Sequence, residues 1–556
     1  MSKLTPTLSR VLKPYHTHEL HYEESLPTLD DQGYLAFAPG DVESPRNWSN
    51  ARRWWISFAS VVAVINATFA SSAPSGILQG ISDEFHVTRQ IAGLTITLFL
   101  LGYCAGPMVF APLSEFYGRR WMLYSCMVLY VIFNFLCAFT HTFAGLLVGR
   151  FLTGTFASST LSNAPAIMAD IWDNKDRGKA MAFFTIMLQI GPALAPVVSG
   201  FLQLTIGWRW CFHVLTMFGA FSLLFVFTVP ETYEPVLLRR KAARIRAAKI
   251  PGFEEVQAPA EADGGTSSLM SILGTALLRP WRILFDPISF CVAVYITFLY
   301  TLIYMLFSIY PIIYQQHRHW NVGIGQLPVL ATGIGGMIGG AIIFYYEQTT
   351  SGNDLGRPRR PEDRLPIAMI PAVLFPGFLF WFAWSGNFNY VHWIVPPIAG
   401  TFVSLVIVII FNSFTNYLVD TYKWYAASAI AINTICRSAS AASAPLWTGY
   451  MFDALGVGVG GSVLGAVAAG LAIMPFVFYK YGEQIRARSK FAPTAGPPKP
   501  RDEESKVGGD GGDSQGEGQG ESRDPTGRVV GGSSSEGEDT LVNVPPSTPP
   551  NESEKR

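Results

Sequence analysis

The sequence predicts an all-α integral membrane protein, with twelve transmembrane helices arranged as two six-helix bundles. Three observations carry that expectation. Of the 556 residues, 49% are hydrophobic and only 14% charged, whereas soluble domains carry roughly 25% charged residues. The apolar residues gather into runs of about 20 or more, the length needed to cross a ~30 Å hydrocarbon core. They do not alternate as barrel strands do, so helices remain as the spanning structure that satisfies its own backbone. The runs also divide evenly about one long polar connection.

The first span, 54–77, follows a polar segment, 1–53, that offers no short apolar core for a cleavable signal. Trp54 and Trp55 open this span as interfacial anchors, and Trp208 and Trp210 do the same at the other face. Spans follow at 91–113, 121–140, 143–168, 178–203 and 209–230, closing an N-terminal bundle over 54–230. The connection 231–286 is rich in charge, Ala and Gly and reads as a cytosolic linker. The C-terminal bundle, 287–481, holds spans at 287–313, 324–347, 365–386, 391–418, 425–449 and 459–481. The tail, 482–556, is rich in Gly, Ser, Pro and Glu, cannot bury a core, and is expected to be disordered.

Basic residues set the orientation. With the N-terminus inside, the inner connections hold Arg119, Arg120, Lys175, Arg177, Lys179, the cluster from Arg239 to Lys249, Arg357, Arg359, Arg360, Arg364 and Lys423. The outer ones hold Arg89, Arg209 and Arg318. That asymmetry places both termini in the cytosol. The zero net charge sums over two membrane faces and says nothing about partners. Cys104, Cys126, Cys137, Cys291 and Cys436 fall inside spans and Cys211 near an outer end, without disulfide or metal spacing. Asn47 and Asn66 match the glycosylation pattern, but one is placed in the cytosol and the other inside a span.

The short connection after the second span carries APLSEFYGRR, Ala111 to Arg120. Glu115 and Arg119 lie at i and i+4 and share a helical face, Gly118 supplies a turn, and Asp170 ends the fourth span nearby. Arg150 is the clearest charge within the N-terminal spans and must find an acceptor in the bundle. In the second half, Asn412, Asn416 and Asp420 occupy one face of the tenth span, and Asn433 and Arg437 repeat the i, i+4 spacing in the eleventh. The ends of the second and eighth spans echo each other: both are Gly-rich and both close on an acid, Glu115 or Glu347. Polar or aromatic residues that suit cavity walls are Asn66, Asn163, Gln189, Tyr300 and Tyr304, with Asn412, Asn416 and Asn433. Pro192 and Pro196 bend the fifth span between Gly191 and Gly200. No phosphate-binding loop, zinc pattern, catalytic triad or dinucleotide fingerprint is present, which argues against a primary pump or an enzyme.

These strings resemble the major facilitator superfamily. Leu113, Glu115, Gly118, Arg119 and Arg120 match its G-x-L-A-D-R-x-G-R-R loop with Glu for Asp, whereas Ala111 and Phe116 depart from it. APLSE-x-YGRR is instead the wording of its fungal drug:proton antiporters, as are ESPRNWS (Glu43 to Ser49), PETYEPVLLRRKA (Pro230 to Ala242), RPWRILFDP (Arg279 to Pro287) and NYLVD-x-Y with AASA and Arg437. GPALAPVVSG resembles the antiporter signature G-P-x-x-G-P-x-x-G-G, and Arg150 with Gly154 resembles R-x-x-x-G. The resemblance covers about 41–490.

The resemblance implies the major facilitator fold and export of a small organic compound, drug, toxin or secondary metabolite, by proton antiport. A uniporter or proton symporter is the near alternative, and a non-transporting receptor or scaffold the distant one. It makes Glu115, Gly118, Arg119, Arg120 and Asp170 a cytosolic gate that locks the outward-open state, and Arg150, Gly154, Asp420 and Arg437 coupling candidates. It implies protons and a small organic molecule as partners within the lipid bilayer, no cofactor, metal or nucleic acid, and a monomer. The plasma membrane is expected, with the vacuolar membrane as the alternative. No Asp or Glu lies mid-span, so the residue that binds a coupled proton is not identified.

Overall fold

The computed structural model describes residues 28–31, 33–249, 253–262, 269–353, 360–489 and 491. The expected disorder of the tail falls almost wholly outside them, as do Arg357 and Arg359. The six N-terminal spans are α1 (Asn50–Ser72), α2 (Leu94–Tyr117), α3 (Arg119–Phe139), α4 (Phe143–Ile171), α5 (Asn174–Leu188 continuing as Ile190–Thr205) and α6 (Arg209–Val226). The second six are α7 (Pro287–Pro311), α8 (Leu330–Asn353), α9 (Pro366–Asn387), α10 (Val395–Tyr422), and α11 and α12. These last two share Ala426–Leu471, and α12 continues as Met474–Ala487.

Among the described residues, ten helices are long and apolar enough to cross a membrane by themselves. Two physical causes separate that count from twelve. Ala426–Leu471 is 46 residues, about 69 Å at 1.5 Å per residue, and it is broken where Gly456 takes a φ of +72°. Two crossings are therefore merged in it. The fourth span, 29 residues long, is diluted by Arg150, Asn163 and a series of hydroxyls. Thr153, Thr155, Ser158, Thr160 and Ser162 donate back to carbonyls one turn earlier, so the polarity is absorbed within the helix. Outside the helices lies one short hairpin, Thr28–Leu29 with Leu35–Ala36, which the sequence reading did not foresee.

Prolines leave carbonyls without partners, and side chains from other helices take them. Pro74 follows α1 and cannot donate to Ala70, whose carbonyl accepts Arg150 Nη2 at 2.8 Å. Pro196 likewise frees the carbonyl of Pro192, which accepts the Ser72 hydroxyl at 3.1 Å. In α5, Gln189 interrupts regular helix just before Gly191 and Pro192.

Glycines set the closest approaches. A Cβ at Gly154 would lie 2.1 Å from the Phe99 carbonyl oxygen, and one at Gly102 2.4 Å from that of Phe151, so α2 and α4 touch backbone to backbone. Across the halves, Gly333, Gly336 and Gly340 of α8 receive Ala193, Gln189 and Ile186 of α5.

The hydrogen bonds that join the halves run from mid-membrane to the face opposite the termini. Cys104 Sγ approaches the Ile435 carbonyl at 3.6 Å, Thr97 bonds the Ala442 carbonyl at 2.7 Å, Tyr304 bonds Ser71 at 3.1 Å, and Gln326 bonds the Ser75 carbonyl at 3.4 Å. The molecule is thus closed at the face away from its termini.

Gly154→Val tests the backbone contact between α2 and α4. With no room for the added methyls, the expected cost exceeds ~2 kcal/mol, read as a lowered thermal midpoint of the purified protein in detergent. An unchanged midpoint would contradict the contact.

Candidate functional site

The terminus-bearing face of the N-terminal half is organised by one arginine. Arg119 sits where α2 turns into α3, because Gly118 adopts a φ of +101° and lets the chain reverse without a linker. Its Nη1 donates to Ser114 Oγ at 2.7 Å, its guanidinium lies 4.7 Å from the Tyr233 ring centroid, and its Nε faces Asp170 as an ion pair at 3.5 Å. Glu115 stands 3.9 Å away with its side chain 56% exposed, so water screens that pairing and Asp170 is the stronger partner.

Sequence reasoning missed the group that holds this turn together. Glu231 is 4% exposed, and its Oε1 accepts the backbone N–H groups of Arg119, Thr232 and Tyr233 at 2.9, 3.1 and 3.2 Å. Its Oε2 occupies the space a Cβ on Gly118 would need, 2.2 Å away. The signal was the PETY string, read as family wording and not as chemistry. Arg120 does not join the cluster: its Nε donates to Tyr124 Oη at 2.9 Å, and that hydroxyl meets the Phe227 and Val229 carbonyls at the end of α6. Its charge fastens α3 to α6.

A second cluster repeats the plan in the other half. Arg364, just before α9, pairs with Asp420 at the end of α10 at 2.9 Å and with Glu347 at the end of α8 at 3.4 Å. End of second helix, start of third and end of fourth in each half supply acid, arginine and acid. The echo between Glu115 and Glu347 was visible in the sequence. Arg364 was not, because a longer connection replaces the i, i+4 spacing that marks Arg119.

Within the membrane, Arg150 is completely buried. Its Nε donates to the Thr95 carbonyl at 3.0 Å, its Nη2 to that of Ala70, and the Phe99 ring centroid lies 4.2 Å away. These contacts tie α1, α2 and α4 together, which offsets part of the roughly 2.5 to 3.5 kcal/mol that an arginine costs at mid-membrane on insertion scales. Arg437 is different. It is only partly buried, and its guanidinium lies 4.9 Å from the Tyr300 ring centroid and 5.1 Å from that of Phe411, with Nε buried and unpartnered.

The remaining cavity candidates separate. Asn66 is fully buried, accepting the Tyr130 hydroxyl at 2.9 Å and donating to Ser222 at 3.1 Å, so it is a core residue between α1, α3 and α6 and not a cavity wall. Asn163 is also fully buried and donates to Ser159 one turn earlier. Asn433 is 5% exposed and donates to the Ala429 carbonyl. Asn412 and Asn416 are partly exposed and bond each other at 2.7 Å. Gln189 packs on Gly336 at the contact between halves, and the Tyr300 and Tyr304 rings lie 5.4 Å apart on α7.

At the far face, arginines stitch loops. Arg209 pairs with Glu84, which also accepts Trp208 Nε1 at 2.6 Å. Burial raises the Glu84 pKa, but those two hydrogen bonds outweigh it and hold the carboxyl below its ordinary value. Arg318 donates to the Val391 carbonyl at 2.9 Å. Arg89 and Asp453 line one cleft where α2 and α11 meet. His213 lies among the Phe139 and Trp210 rings.

Known proteins resemble the chain closely. The family profile described as Major Facilitator Superfamily matches residues 59–445. The "Efflux pump FUB11" of Gibberella moniliformis is 38% identical over 499 residues, covering 88% of this chain and 83% of that protein. The "Major facilitator superfamily multidrug transporter mdrA" of Aspergillus fumigatus is 36% identical, over 84% of this chain and 77% of that one. Among solved structures, the xylose transporter XylE from E. coli, in a conformation described as partially occluded and inward open, superposes with a TM-score of 0.55 at 16% identity, covering 77% of this chain and 99% of the other. At that identity the likeness is one of fold.

Glu231→Ala tests the turn. Removing the shared acceptor leaves buried N–H groups unpaired, each costing about 1–3 kcal/mol, so the purified protein is expected to lose thermal stability markedly. An unchanged midpoint would show that the carboxylate does not hold the turn.

Proposed function

The chain belongs to the major facilitator superfamily, and on that premise we propose that it exports a small organic compound from the cytosol by alternating access, driven by proton antiport. It is a multi-pass membrane transporter and not an enzyme, as its family and fold establish. The observation that carries the direction is that its relatives at 36–38% identity bear efflux names over most of their length. The cargo classes within that reading are drugs, toxins and secondary metabolites.

In this reading both termini are cytosolic, so the two charge clusters stand at the cytosolic face and the hydrogen bonds between the halves close the outer one. The Arg119 cluster, with Glu115, Gly118 and Asp170, is half of a cytosolic latch, and the Arg364 cluster with Asp420 and Glu347 is its counterpart. Each arginine orders the helix ends of its own half, ready for the opposite half when the cytosolic side shuts. The kinked segment Gly191 to Gly200 packs against α8 and is the hinge. Arg150 and Gly154 hold α1, α2 and α4 as a rigid block, and Arg437 faces the transport path. The plasma membrane is the proposed site, with the vacuolar membrane as the alternative, and the monomer is the working unit.

A uniport reading draws on one specific observation: the acids of the spans stand at the helix ends, and arginine does not release a proton near neutral pH. Nigericin separates the two in cells producing the protein, because it removes the pH gradient while leaving the membrane potential. Antiport predicts that export of the cargo, found by profiling intracellular and extracellular small molecules on deletion and overexpression, stops. Export untouched by nigericin would sink antiport.

The latch generates a second expectation. Glu115→Gln combined with Arg119→Ala should leave the protein inserted but lower its initial transport rate at least about tenfold, ~1.4 kcal/mol of barrier. A wild-type rate in that variant would remove the latch.

A further inference from the structure

We propose that the cargo is an organic anion: a carboxylic or similarly acidic compound with an apolar body, read by Arg437. This rests on the export reading above and names the charge of its substrate.

Arg437 lies about eleven residues into α11, roughly 16 Å along the helix, at a depth where water is scarce. Among the described residues its guanidinium has no hydrogen bond or ion pair, and its Nε is buried and orphaned. The two aromatic faces beside it, Tyr300 and Phe411, are already covered by the guanidinium itself. A cationic ligand therefore finds its natural aromatic platforms occupied by a like charge.

The groups around it add donors, not acceptor charge. Tyr103 is 3% exposed with an unpartnered hydroxyl, beside Tyr300 and Tyr304. Arg150, deeper in the N-terminal half, keeps Nη1 unpartnered and is satisfied only by carbonyls. The carboxylates that might balance two guanidinium groups are elsewhere: Asp170 and Glu115 face Arg119, and Asp420 and Glu347 face Arg364, all at the terminus-bearing face. The middle of the molecule is therefore electropositive, and a low dielectric makes that field effective.

An anion answers each of these features. A carboxylate accepts the two-pronged guanidinium fork and a phenolic donor together. An apolar body suits walls built from Tyr300, Tyr304, Phe307 and Phe411. A bare cation meets repulsion, and a neutral compound leaves the guanidinium without a counter-charge. An inside-negative membrane potential also drives an anion outward, which adds force to export without requiring an acid at mid-span.

The test uses two dyes on one xanthene skeleton, fluorescein as the anion and rhodamine 123 as the cation, loaded into cells that produce the full chain. Fluorescein is expected to leave faster than rhodamine 123. Arg437→Gln should cut fluorescein export at least tenfold at equal surface abundance, and Arg437→Lys should retain part of it. Should the Gln variant fail to reach the membrane, the dye preference of the wild-type chain and of Arg437→Lys decides. Preferential export of rhodamine 123, fluorescein export unchanged in Arg437→Gln, or export of neither dye by a chain whose metabolite profile does show a cargo would each overturn the anion assignment while leaving export standing. A metabolite profile with no cargo at all would instead bring down the export reading, and this inference with it.

Discussion

A backbone carbonyl inside a membrane has no water to turn to, and this structure is arranged around two that lose their helical donors. Pro74 strips Ala70 of its partner and Pro196 strips Pro192. Arg150 and Ser72 replace the missing donors, and each comes from a different helix than the carbonyl it serves. The break at the end of α1 is thereby fixed to α4, and α5 is fixed to α1. The close approach of α2 and α4 at Gly102 and Gly154 follows, because it brings the Thr95 carbonyl within reach of the same guanidinium. A residue that reads as a costly intramembrane charge is thus the fastening of the N-terminal half.

Charge is used in two ways along this chain. At the terminus-bearing face, Arg119 and Arg364 sit among acids and helix ends, where water screens the pairs and their worth lies in geometry more than in energy. Mid-membrane arginines have carbonyls or aromatic faces in place of acids. Arg150 has enough of these to be structural, with Thr95, Ala70 and Phe99 around it. Arg437 has only ring faces, and the difference between the two is a difference in what remains to be satisfied.

Much of this was legible in the sequence, and the exceptions have physical causes. Long apolar runs located the spans because the bilayer imposes a length. The i, i+4 pair of Glu115 and Arg119 was readable because both partners sit on one helix end. Arg364 was hidden, since its partners lie on separate helices joined by a longer connection. Glu231 was hidden for another reason: a carboxylate that serves backbone N–H groups leaves no pattern of paired charges. Asn66 was misassigned to the cavity because a polar residue in a span looks the same whether it faces a path or bonds Tyr130 and Ser222. The hairpin at Thr28 was too short to register.

The segment after α6 has a mechanical consequence. Its helix Glu234–Ala247 is docked on the N-terminal arm through Lys241 to Asp41 at 2.5 Å and Arg244 to Glu43 at 2.9 Å, and Leu35 packs with Leu238, Ala242 and Ile245. That portion travels with the first half. The next helix, Leu269–Leu284, runs up to α7 of the second. Between the docked stretch and that helix lie residues 263–268, a tether whose full extension is about 20 Å at ~3.3–3.6 Å per residue. The two bundles are on a leash, and its length sets an upper bound on how far the anchored ends can part during a transport cycle.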